Sequence, residues 1–328
     1  MQNTQNDKTP LVSFIIPYYN VPTEMLTECL ASIFNLTLSD EEREVILIDD
    51  GSDTSPLEQI KEFRDRIIYI RTENRGLGAA RNTALDICKG QYIQFIDADD
   101  CLITTPYNHC LDIVRYNDPD MVMFNLTSNK ETTVNQTDFE VPQPKDGAIY
   151  MRHNNLKASV CGYIFKKQIL VNLRFTPGIV HEDEEFTPLL ILRCERIFDT
   201  KTDAYFYRER QGSITNSKTK KNVIKRLDDT EQVIISLNRM LPSLPLMDRN
   251  ALQRRVDQLS MDYLYNIITL TKSKNELDKR IARLKDNELF PLNNNSYTKK
   301  YKVFSKLINN KLGRIILLFT VPWMKKEK

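Results

Sequence analysis

Long apolar runs, paired cysteine motifs and an excess of either charge are all missing from this 328-residue sequence. No stretch of about 18 apolar residues occurs, so no transmembrane helix is expected. The polar opening MQNTQNDKTP lacks the apolar core of a secretory signal. Cys29, Cys88, Cys101, Cys110, Cys161 and Cys194 form no CxxC pair and no Cys/His zinc spacing. A disulfide framework and a structural zinc site are therefore not expected, and a reducing, cytoplasmic compartment fits. Lys plus Arg number 46 against 44 Asp plus Glu, so bulk charge steers no partner and no nucleic-acid role is expected. No internal repeat is found.

The first half instead alternates short apolar strands with helical patterns. LVSFIIP (11–17) reads as a buried strand stopped by Pro17, and EMLTECLASIF (24–34) places Leu26, Leu30 and Ile33 on one helical face. EVILIDD (44–50) is a second strand. SPLEQIKEF (55–63) then predicts a helix, with Ser55 as N-cap, Pro56 at N1 and Glu58 at N3. IIYIR (67–71) is a third strand, a helix runs from about Ala79 to Cys88, and QYIQFI (91–96) is a fourth strand. Buried strands alternating with helices predict an α/β fold with a mostly parallel sheet covered on both faces. Ligands of such sheets bind beyond the carboxyl ends of the strands. YYN (18–20), IDDGSD (48–53) and IDADD (96–100) all stand at such ends.

The acidic cluster after the fourth strand is the densest. In extended backbone Asp97 and Asp99 point the same way, which makes a hard oxygen site suited to magnesium or manganese with phosphate oxygens and waters completing the shell. A solvated acidic turn has the same composition. In IDDGSD, Asp49 and Asp50 leave a strand at the turn that Gly51 permits; they can meet a base or ribose, or form an Asx-type turn. ENRGLGAARN (73–82) offers a rival, because Gly76-Leu77-Gly78 follows a strand as a dinucleotide fingerprint does. Arg81 fills the third glycine position, however, and the loop reads instead as a basic wall near phosphates with Arg75 and Arg81 as charge partners. HEDEEF (181–186) places four carboxylates together, either as the acidic first turn of a helix or as the source of a general base.

Taken together, VSFIIPYYN, EVILIDDGSDTS, ENRGLGAARNTALDICKGQYIQFIDADD, HEDEEF and YRERQGSIT resemble the inverting family 2 glycosyltransferases of GT-A fold, of the bacterial surface-polysaccharide type. The segments stand in family order over about residues 11 to 215. The resemblance implies that Pro17, Tyr19 and Asn20 lie beside the nucleotide, and that Asp50, with Asp49, binds the base or ribose. It implies Arg81 near the nucleotide-sugar pocket, and Asp97 and Asp99 as the DxD element, with Asp99 the direct ligand of Mn²⁺ or Mg²⁺ and Asp97 nearer the ribose. Asp183 would be the general base. Arg208, Arg210 and Ser213 would contact the diphosphate. The implied enzyme is a hexosyl- or N-acetylhexosaminyltransferase using a nucleotide sugar, most simply a UDP-sugar, and a glycan or lipid-linked acceptor.

The resemblance says less of residues 218–328. The expected division is a catalytic domain over 1–217 and a helical C-terminal region over 218–328. In the tail, GRIILLFTVPWMKK combines an apolar run, Trp323 and flanking lysines. That pattern suits either a helix lying at a membrane interface or a core helix with basic ends. Two other functions are carried forward: an NAD-type oxidoreductase built on GLGAAR, and a non-enzymatic, membrane-associated glycan-binding protein.

Overall fold

Burial separates the first four strands by their place in the sheet. Every residue of β1 (Val12–Tyr18), β2 (Arg43–Asp49) and β4 (Tyr92–Phe95) is buried, whereas β3 (Ile68–Arg71) is half-exposed and lies at an edge. The computed structural model describes residues 9–129, 139–209 and 219–324. Its eight-stranded sheet runs β3-β2-β1-β4-β7-β6-β8-β5, where β5 is Cys101–Leu102, β6 Met121–Thr127, β7 Tyr163–Lys166 and β8 Ile197–Phe206. The first four strands are mutually parallel. Strand β7 enters antiparallel between β4 and β6, and β8 runs parallel to β6. The sheet is thus the mixed, mostly parallel one expected.

Helices α1 (Thr23–Phe34), α2 (Leu77–Ile87) and α3 (Thr104–Asn117) follow β1, β3 and β5. Helix α1 buries Leu26, Cys29, Leu30 and Ile33, and α2 buries Ala79, Ala80 and Ala84, small residues that permit close approach. All six cysteines are buried thiols, none in a disulfide.

Two sequence expectations are corrected. Strand β1 does not stop at Pro17, which pairs in register with Ile48. The Ile15 carbonyl accepts from Ile96 on the β4 side, and the Tyr18 carbonyl accepts from Asp50 after β2. Alternation therefore turns the Pro17 nitrogen toward β4, whose pairing has already ended at Phe95, so no ladder bond is lost. The segment after Ser55 forms two 3-10 turns, Pro56–Glu58 and Lys61–Arg66, in place of an α-helix. Pro56, Ile60 and Phe63 are its buried residues. So short a segment gains little from helix propagation.

By compactness the chain forms two units. The first comprises Met1–Gly147, Ala158–Gly178 and Leu189–Gln211; the second comprises Ala148–Lys157, Ile179–Pro188 and Gly212–Lys328. The second is helical, with α6 (Lys220–Met240), α7 (Leu246–Thr271), α8 (Lys274–Asp286), α9 (Lys299–Asn309) and α10 (Lys311–Met324). Two shorter helices, α4 (Gly147–His153) and α5 (Glu182–Ile191), carry its early segments. Its buried charge centre is Arg280, 2% exposed, which meets Glu276 at 2.6 Å, Asp228 at 2.9 Å and Glu231 at 3.3 Å. Among the described residues no helix is long and apolar enough to cross a membrane.

Candidate active site

In the first unit, parallel pairing brings the three polar clusters to one edge of the sheet. After β1, Asn20 takes the left-handed conformation (φ 49) that asparagine tolerates. Its backbone N–H donates to Ser52 Oγ at 3.0 Å, and its side chain exchanges bonds with Asp53, accepting from the Asp53 amide at 2.9 Å. Asn20 therefore ties the β1 loop to the β2 loop. Tyr19 beside it is half-exposed.

Asp49 and Asp50 are both buried and both engaged. Asp49 accepts from the Ser52 amide at 2.8 Å and from the Tyr69 hydroxyl at 2.7 Å. Asp50 accepts from the Arg75 and Gly76 amides at 2.9 and 2.8 Å, one on each carboxylate oxygen. Gly51 makes this turn at φ 75, where an added Cβ would lie 2.7 Å from the Asn74 nitrogen. Each oxygen of Asp50 keeps a second lone pair for a further donor. The same bonds weaken the dinucleotide reading of GLGAAR. The Gly76 amide, which would face a pyrophosphate, is taken by Asp50, and Arg81 is buried against Phe95 and Phe175, 5.7 and 5.4 Å from their rings.

The acidic cluster is a turn and not extended backbone: strand β4 ends at Phe95, and the Asp100 amide donates to the Asp97 carbonyl at 3.0 Å. The period-two argument for Asp97 and Asp99 is corrected accordingly. A chain reversal gathers the three carboxylates instead. Arg81, rising from α2, donates to Asp97 Oδ1 at 3.2 Å. Asp100 turns inward, accepting from the Tyr205 hydroxyl at 2.7 Å and from the Arg208 amide at 2.8 Å. Burial, then the nearby Asp97 charge, pushes the Asp100 carboxyl up to about 7. Arg208 closes the arrangement, with Nε on the Asp99 carbonyl at 2.9 Å and its guanidinium on Glu28 of α1 at 2.5 Å. No local sequence signal marks Tyr205 or Glu28, whose roles depend on β8 and α1 meeting the turn. Arg210 and Ser213 lie outside the described residues.

Hard carboxylates crowded at a strand end suit a divalent cation held together with substrate phosphates. Among the described residues no group of three or more side chains forms a protein-only metal site. Asp97 and Asp99, both half-buried, are the residues that fit.

Asp183 belongs to the second unit, on α5, whose first turn holds Glu182, Asp183, Glu184 and Glu185. The acidic-first-turn expectation is thus met, and the carboxylates face the positive end of the helix dipole. Arg255 is nearby, ion-paired with Glu184 and donating to the Leu156 carbonyl at 3.0 Å. Burial lowers its pKa to about 10, against the pull of Asp262 and Asp183. Burial likewise lowers the pKa of His181. A cavity of about 570 Å³ in this unit is lined by His181, Glu184 and Asp262 together with Phe304, Leu317 and Val321.

Residues 13–169 match the family model described as glycosyl transferase family 2. Residues 13–169 belong to this family. The match spans β1 through β7 and ends before Asp183 and the YRERQGSIT segment. Glycosyltransferase GlyA of Streptococcus pneumoniae serotype 4 is 27% identical over 274 residues, covering 76% of this chain and 38% of that protein. The poly(ribitol-phosphate) beta-glucosyltransferase of Bacillus spizizenii is 28% identical over 208 residues, covering 60% of this chain and 32% of that protein. The chain thus spans well under half the length of either relative. Among solved structures, S. aureus TarS 1-349 in complex with UDP-GlcNAc matches with a TM-score of 0.67 at 18% identity, over 96% of this chain and 91% of that one. At this identity the likeness is one of fold, and it extends the GT-A architecture through the helical C-terminal region.

Proposed function

We propose that the chain is a metal-dependent, inverting glycosyltransferase that moves a hexosyl or N-acetylhexosaminyl group from a nucleoside diphosphate, with a UDP-sugar the expected donor, to a hydroxyl of a glycan or lipid-linked acceptor in cell-surface polysaccharide synthesis. Family membership supports the reaction class. The observation that carries the reading is the Asp97–Asp100 turn at the carboxyl end of β4, flanked by Arg81 and Arg208. The named partners of similar proteins, UDP-GlcNAc and poly(ribitol-phosphate), favour a UDP-sugar and a surface polymer. A nucleotide donor and six buried thiols suit the cytoplasmic side of a cell.

The roles follow from chemistry. Tyr19, Asn20 and the Asp49–Asp50 turn line the nucleotide end, and Pro17 lets β1 deliver them without a lost ladder bond. Asp97 and Asp99 would hold a Mn²⁺ or Mg²⁺ ion, which when bound neutralises charge growing on the diphosphate. Arg81 and Arg208, joined by Arg210 and Ser213 in the following segment, add positive charge and donors there. Asp183 takes the proton of the acceptor hydroxyl as its oxygen bonds to the anomeric carbon and the bond to the diphosphate oxygen breaks. Displacement from the opposite side inverts that carbon. The amphiphilic cavity beside α5 supplies room for part of an acceptor. Residues 1–217 supply the donor machinery and the base in this reading, and 218–328 the rest of the acceptor platform.

Thermal unfolding with UDP, GDP, CDP, TDP and NADH, each with and without Mn²⁺, tests the donor reading. One nucleoside diphosphate is expected to raise Tm only with the metal, since a ligand at about 100 times its Kd adds about 2.7 kcal/mol. Asp99→Ala should abolish that shift. A shift with NADH alone, or none with any diphosphate, overturns the proposal. Donor binding without turnover of a matched acceptor would favour the glycan-binding alternative.

A further inference from the structure

The last helix is docked on its own unit by one face only. Gly313, Leu317 and Val321 of α10 are buried, and a Cβ on Gly313 would lie 2.1 Å from the Leu307 carbonyl oxygen, so α10 meets the end of α9 as closely as glycine allows. Arg314 secures the contact through the Ile308 carbonyl at 2.8 Å and Asp278 at 3.8 Å. The other face is apolar and bare. Leu312, Ile315, Ile316 and Phe319 are 72, 43, 51 and 70% exposed, and they recur at the three-, four- and seven-residue spacing of a single helical stripe. Val303 on α9 is 60% exposed as well. Monomeric soluble surfaces rarely gather large apolar side chains this way without a partner.

The charge around the stripe narrows what that partner is. Residues 289–326 contain Lys299, Lys300, Lys302, Lys306, Lys311, Arg314, Lys325 and Lys326, and no Asp or Glu. The first five of these lysines are exposed. A second copy of the chain would bring two equally basic segments together, and a nucleic acid would leave the apolar stripe in water. An anionic lipid surface satisfies both features: apolar side chains enter the acyl boundary while lysines stay among acidic headgroups. We propose that α10 lies in the plane of an anionic bilayer with the Leu312–Phe319 stripe facing the lipid and the lysines of α9 over the headgroups. With 14 residues α10 cannot span a bilayer. This attachment is peripheral and requires no catalysis, so it stands apart from the transferase reading.

Flotation of the full chain with vesicles of phosphatidylcholine alone, or mixed with phosphatidylglycerol, tests it. Binding is expected to the mixed vesicles and to weaken as salt rises. Leu312→Glu with Phe319→Glu should reduce the bound fraction about tenfold with no change in Tm, because both side chains point away from the protein. Lys302→Gln with Lys306→Gln should weaken binding to the mixed vesicles only. Absence of vesicle binding, or equal binding by the stripe variant, overturns the proposal. A wild-type dimer that the stripe variant converts to monomer, without vesicle binding, would make the stripe a self-association face and overturn it too.

Discussion

The two units spend their charged residues in opposite ways. In the first, carboxylates crowd at strand ends, and Asp97, Asp99 and Asp100 share four positions with only Arg81 and Arg208 to balance them. Burial first, and the nearby Asp97 charge second, push the Asp100 carboxyl there up to about 7. In the second, each carboxylate of the buried network stands against a guanidinium: Arg280 pairs with Asp228, Glu231 and Glu276, and Arg283 with the first two. Like charges held together are the pattern of a functional site, and a buried pair is costly to break. The exception in the second unit is the first turn of α5, where four carboxylates again stand together. That exception is where the proposed base lies.

The largest effect should come from breaking the exception. Asp183→Asn keeps size and helix position but cannot accept the proton, so kcat should fall by about 10²–10⁴-fold, with donor-dependent Tm shifts kept. Loss of donor binding instead would assign Asp183 to the fold. Next comes the matched network. Arg280→Met leaves the nearly buried Glu231 with the half-exposed Arg283 as its charge partner and should cost about 3 kcal/mol in urea unfolding. A loss below about 1 kcal/mol would mean that the charges in this unit are solvated and not matched.

These contrasts were unevenly legible in the sequence. The strands and the three polar edges were readable because burial and period are local properties, and LVSFIIP or EVILIDD carries them within seven residues. The family resemblance was readable because five such segments stand in order. That Asp100 points away from Asp97 and Asp99 was readable too, but its partner was not, since that is Tyr205, 105 positions away. The tail was half legible: its composition shows apolar and basic residues together, but only the packing of Gly313 on Leu307 decides which apolar face is covered.

A smaller test returns to the crowded edge. Gly51→Ala meets both a positive φ and a 2.7 Å approach to Asn74, so it should destabilise the first unit by about 1–3 kcal/mol. Donor affinity should fall further than stability does, because the same turn carries Asp50 to its bonds with the Arg75 and Gly76 amides. Equal affinity in the folded variant would separate this turn from the donor site.

The smallest effect compares one signature in the two units. Ser55 and Ser273 each precede a glutamate by three residues, the capping-box spacing. Ser273 Oγ accepts from the Glu276 amide at 3.3 Å and opens the 13-residue α8, where Glu276 also pairs with Arg280. Ser55 Oγ accepts from Leu57 at 3.4 Å and opens only a three-residue 3-10 turn. A cap stabilises in proportion to the helix that depends on it. Ser273→Ala should therefore cost about 1 kcal/mol, and Ser55→Ala should cost less. Equal costs in matched denaturation curves would mean that the cap acts on its own amide alone, and that the length of the following helix adds nothing.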